Sequence, residues 1–142
     1  MYKPTNLRRV KASLPIREIT NPFQAIRLIG WHNVSCWQKE YWAICLDKDS
    51  RLLGITRVTH GAAIGSIEIK RLVEAAVILQ ASKVILLHNI FSPSPIPWES
   101  DIRDTISVKG ALDRMEIVLL DHIIVSFRKY FSMAAQRTYS NV

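Results

Sequence analysis

The stretch KVILLHNIFSPSPIPWESDI, residues 83–102, decides how this chain folds. Lys83–His88 is a short, almost continuous apolar run, which is how a strand reads when both of its faces are covered. Pro93, Pro95 and Pro97 follow. Each lacks a backbone donor, so Asn89–Trp98 cannot form a central strand and is expected as a stiff loop. A helix is expected beyond it, over about residues 99–115.

Upstream, Ser66 is placed to cap a helix over about residues 67–81. Ile67, Ile69, Leu72, Ala75, Ala76 and Leu79 would form its apolar face, with Glu68 in the first turn facing the helix dipole. Before it, Tyr41–Leu46 and Leu52–Thr59 are strand-like runs separated by the turn residues 47–50, a hairpin signal. Gly61 and Gly65 bracket a loop without the Lys-Ser/Thr of a phosphate-binding loop. Asn21-Pro22 opens a helix to about Gly30, with Phe23, Ile26, Leu28 and Ile29 at helical spacing. Downstream, Ile117–Val125 reads as a strand and Tyr130–Met133 as a short last one. Helix, two strands, helix, strand, helix, strand, strand is the order of an α/β domain, a mixed sheet flanked by helices. The expected division is a basic arm over 1–20, the domain over 21–136 and a tail over 137–142.

The 142 residues suffice for one core, and 49% apolar with 22% charged residues is a globular mix. No apolar run approaches the ~18 residues of a membrane span. The opening MYKPTNLRR has no apolar stretch behind its charges, so a cytoplasmic chain without a secretory signal is expected. Cys36 and Cys45 fit no redox or zinc spacing and are expected to be reduced thiols. The net charge of +7 favours phosphate backbones in general, but the basic residues are scattered, and no single helix gathers them.

Chemistry is expected at strand ends. His88 closes one strand, Asp101 follows thirteen residues later across the proline loop, and Glu40 opens the first hairpin strand. Asp121 and His122 sit inside the last long strand. Converging carboxylates and an imidazole would suit a metal or an acid–base pair. Spacing alone leaves plainer roles open: Asp101 complementing a helix dipole, His88 a satisfied strand-end side chain, Glu40 a solvated charge.

The segment HNIFSPSPIPWESDI, His88–Ile102, resembles without a gap the RadC-family signature HNHPSG-x-x-x-P-S-x-x-D. LLDHIIV (Leu119–Val125) is similar to that family's LLDH strand, Glu40–Ile55 to its opening hairpin, and Glu74–Asn89 to its helix and histidine strand. The resemblance covers about residues 20–135; the helix-hairpin-helix segment that precedes the domain in full-length RadC proteins is not matched. It implies the JAB/MPN (JAMM metalloprotease) architecture, a three-layer fold like that of cytidine deaminases, in a bacterial protein. In that motif a glutamate is general acid/base, two histidines and an aspartate hold zinc, and a serine three residues before the aspartate stabilises the oxyanion. Glu40 matches the glutamate, His88 the first histidine and Asp101 the aspartate. Ile90 stands at the second histidine and Trp98 at the serine, while Phe91-Ser92-Pro93 replaces the family's Pro-Ser-Gly.

Catalytic zinc normally takes three protein ligands and a water. With Ile90 in place two matched ligands remain, and zinc is expected to bind weakly or not at all. Loss of one oxyanion donor is worth ~10²–10³-fold in rate. Three readings follow. The first is an impaired domain serving as a binding or scaffold module, with Phe91 and Trp98 offered to a protein partner or a second copy. The second is an active zinc hydrolase with a substitute ligand; His60 and His122 are the histidines at hand, but the family's strand also carries a histidine at the position of His122, so it is not a new compensating ligand. The third is a nucleic-acid accessory role, suggested by the charge and by the DNA-repair label of RadC proteins.

Overall fold

A computed structural model describes residues 8–9, 18–30, 38–59 and 66–140. The Lys83 run forms a strand at the centre of a seven-stranded mixed sheet. In chain order the strands are β1 (Arg8–Arg9), β2 (Tyr41–Leu46), β3 (Leu52–Arg57), β4 (Lys83–Asn89), β5 (Val118–Val125), β6 (Lys129–Ser132) and β7 (Arg137–Ser140). The helices are α1 (Pro22–Ile29), α2 (Ile69–Ile78) and α3 (Glu99–Asp113). The spatial order is β1-β3-β2-β4-β5-β6-β7. Among the described strands only β4 and β5 run parallel, joined by the crossover that carries α3.

Strand alternation makes three layers. Ala43 and Cys45 of β2, with Val84 and Leu86 of β4, face Leu72 and Ala76 of α2 and Val108 and Leu112 of α3. Ile44, Leu46, Ile85 and Leu87 face the opposite way, onto Ala25, Ile26 and Ile29 of α1. A strand covered on both sides must be apolar at every position, which is why the Lys83 run does not alternate.

Asn21 caps α1, its side chain accepting from the Gln24 N–H at 3.0 Å, and Pro22 occupies the first turn. The second helix is shorter than expected. Ile67 forms a bridge with Thr59, which displaces the cap from Ser66 to Glu68, and Gln80, at φ 56°, turns the chain away after Ile78. The end of the chain also departs from expectation: residues 137–140, expected within a tail, form β7 by pairing with β6. In the expected arm, Arg8–Arg9 extends the sheet beside β3, and Glu18 bridges to Arg51. Cys45 is buried and unpaired, its thiol pushed up to about 12 by burial; Cys36, His60 and the Gly61–Gly65 loop lie outside the described residues. Among the described residues no helix is long and apolar enough to cross a membrane.

Candidate functional site

Antiparallel pairing places Tyr41 of β2 opposite His88 of β4, so Glu40 and the end of the histidine strand lie side by side. Asn89 locks this corner: its amide oxygen accepts from the Glu40 N–H at 2.7 Å and its amide donates to the Gln38 carbonyl at 3.0 Å. On the other flank the parallel register sets His122 opposite Leu86 and Ile124 opposite His88. His122 thus sits one pleat back from His88 on the same face, and the two rings meet at 4.9 Å between centroids. Asp121 points the other way, accepting from Ser132 Oγ at 2.7 Å and the Ala134 N–H at 3.0 Å; its part is to hold the turn after β6.

The proline loop returns the chain so that α3 starts over the end of β4. Trp98 is the N-cap of this helix, and Asp101 at the third position reaches back to accept from the Trp98 N–H at 2.7 Å. The other Asp101 oxygen stands 3.4 Å from His88 Nε2, with both side chains buried. The structure therefore unites two of the residues picked out by the sequence, His88 and Asp101. Their spacing matches the edge of a tetrahedral zinc site, in which two ligands at about 2.0–2.1 Å from the ion stand about 3.3 Å apart. His88 Nε2 has no hydrogen-bond partner, although it is fully buried.

Glu40 is engaged differently. Its carboxylate accepts from Arg57 through Nε and through Nη2, the latter at 2.8 Å, and from Thr59 Oγ1 at 2.5 Å. Burial pulls its pKa up, but the hydrogen bonds from Arg57 and Thr59 and the guanidinium charge outweigh this and leave it below the usual glutamate value. A carboxylate so held is a weakened proton acceptor.

Around His88 lies a polar network that the motif reading did not include. Its Nδ1 is 2.7 Å from His122 Nε2; His122 Nδ1 is 2.6 Å from Thr105 Oγ1; and Thr105 Oγ1 donates to the Asp101 carbonyl at 2.8 Å. The Tyr41 ring packs on His88 at 4.7 Å, with its hydroxyl 3.5 Å from Asp104 Oδ2 and Lys39 Nζ 5.4 Å above its face. Burial holds both imidazoles neutral, His88 well below its ordinary value and His122 down to about 3, with the positive charge of Lys39 adding to the effect. The signal that could have found His122 is its place two residues behind His88 once the parallel register is known.

The remaining positions are apolar. Ile90 follows β4, its N–H donating to the Val125 carbonyl at 2.8 Å. Phe91 is 71% exposed and meets the Phe127 ring edge-on at 5.1 Å; Trp98 is 64% exposed. An isoleucine has no lone pair to give, and among the described residues no group of three His, Cys, Asp or Glu side chains is placed to hold a metal. His88 and Asp101 fit two corners of a zinc site; the full catalytic set does not fit.

Against known proteins, the model of the RadC-like JAB domain matches residues 19–138. The chain belongs to the RadC-like JAB family. A UPF0758 protein of Streptococcus agalactiae is 35% identical over 96 residues, 67% of this chain and 42% of that protein. Another from Actinobacillus succinogenes is 32% identical over 123 residues, 84% of this chain and 54% of its own length, and one from Coprothermobacter proteolyticus is 28% identical over 124 residues, covering 53% of it. The chain thus spans about half the length of the curated relatives it matches.

Proposed function

We propose that this RadC-like JAB domain is catalytically impaired and works as a binding or scaffold module. What supports the reading most is the state of Glu40, whose carboxylate is clamped by Arg57 and Thr59 rather than left free to move a proton. The substitutions act in the same direction. Ile90 removes the third metal ligand, and Trp98 puts an indole where the family has a hydroxyl. His122 is no substitute ligand, because its Nε2 is already engaged by His88 Nδ1. The exposed rings of Phe91 and Trp98, with Ile96 between them on the same loop, would seat an apolar segment of a protein partner or a second copy of the chain.

The test is a hydrolysis assay on peptide and isopeptide substrates with tag-free protein and added zinc, run beside His88→Ala. No turnover above buffer is expected in either. Turnover that disappears in His88→Ala would overturn the reading. The nucleic-acid reading has its own check in DNA retention across a salt series: steeply salt-dependent binding would favour it, and absence of retention at ~50 mM salt would end it.

A further inference from the structure

The mismatch with zinc is confined to one position, and the hydrogens around His88 can be assigned by counting. The Thr105 hydroxyl has one proton, and the Asp101 carbonyl 2.8 Å away can only accept, so that proton goes to the carbonyl. Thr105 Oγ1 must then accept from His122, which carries its hydrogen on Nδ1. A neutral imidazole has one N–H, so His122 Nε2 is an acceptor, and the hydrogen in the 2.7 Å contact belongs to His88 Nδ1. His88 Nε2 faces Asp101 Oδ1 at 3.4 Å, too far for the charge-assisted hydrogen bond of about 2.7–2.9 Å that a proton on Nε2 would make, and among the described residues it has no hydrogen-bond partner, so it is left bare.

We infer that His122 and Thr105 are positioning residues that hold His88 as its Nδ1–H tautomer, so that Nε2 and the Asp101 carboxylate form an oriented donor pair one ligand short of a divalent-metal site. A histidine ligand needs such support, since the N–H on its far nitrogen must be held for the near lone pair to point at the ion. Two acceptors facing each other in a buried site repel, and a divalent cation between them would turn that repulsion into attraction. The inference rests on reading His88 and Asp101 as former zinc ligands, and the two claims can fail separately.

The tautomer is read by long-range ¹H–¹⁵N correlation of the imidazole nitrogens in metal-free protein at neutral pH. His88 is expected with a protonated Nδ1 and an unprotonated Nε2. Thr105→Val removes the acceptor at the end of the relay and should shift His88 toward the Nε2–H form, while Thr105→Ser should restore the wild-type pattern. A wild-type His88 protonated on Nε2, or one indifferent to Thr105→Val, overturns the relay. Cobalt(II) titration of Ile90→His, followed by its visible absorption, then tests the ligand assignment. Tetrahedral binding is expected there, weakened ~10–100-fold when Thr105→Val is added. If the relay tautomer is present yet Ile90→His binds no cobalt, the assignment of His88 and Asp101 as ligands fails and the relay stands.

Discussion

At the inner end of this site, His88, His122, Thr105 and Asp101 are joined by contacts of 2.6–3.4 Å, with His88, His122 and Asp101 buried and Thr105 half-buried. On the loop above them, Phe91, Ile96 and Trp98 stand exposed, and Phe91 meets the edge of the Phe127 ring. A buried polar network resists change because losing one member strands the others without water. An exposed loop residue strands nothing when it changes, so the rim could become apolar while the imidazole–carboxylate base stayed in place. Chemistry can therefore be lost from such a site without dismantling its frame.

The sharpest way to break this contrast is acid. Both buried histidines have pKa values depressed below the unfolded value near 6.5, so the unfolded state binds more protons as pH falls. Their contribution is fully present above about pH 6.5 and is lost on going down from there. Urea midpoints measured at pH 7 and pH 5 should show a loss of about 2 kcal/mol for each histidine; unchanged stability would mean that the pair is not buried neutral. Next, His122→Ala should lower stability by about 3 kcal/mol, by opening a cavity and leaving His88 Nδ1 and Thr105 without their partner. Equilibrium unfolding of Phe91→Ala should change by under about 0.5 kcal/mol. Arg57→Ala should cost about 1 kcal/mol, because the guanidinium is 41% exposed and screening discounts its pair with Glu40. Opposite in sign, Trp98→Ser should raise stability by about 0.5–1 kcal/mol. A serine at the N-cap of α3 can accept the Asp101 N–H, which the indole cannot. A lower melting temperature for this variant would mean that the indole packs more tightly than its exposure indicates.

Much of the fold was legible because its signals are local. The apolar run of β4, the turn residues 47–50 and the Asn21-Pro22 start each act within a few residues. The Ser66 cap failed because a tertiary bridge between Thr59 and Ile67 captured the first expected turn. The strand over Arg137–Ser140 was hidden because its pattern is polar and, among the described strands, it pairs with β6 alone. In the site, His88 and Asp101 could be paired from a motif of fixed spacing. The capture of Glu40 by Arg57 and Thr59, and the His88–His122 contact across 34 residues, depend on strand register, which no local pattern encodes.

We propose that a single hydrocarbon at position 90 denies this scaffold a catalytic metal. The most direct test is zinc affinity, measured by competition with a chromogenic chelator for tag-free wild type and for the double variant Ile90→His/Trp98→Ser. Weak or absent binding by wild type is predicted, with binding at least ~10-fold tighter in the double variant. A wild-type protein that keeps near-stoichiometric zinc through dialysis, or a double variant that binds no better, would contradict it.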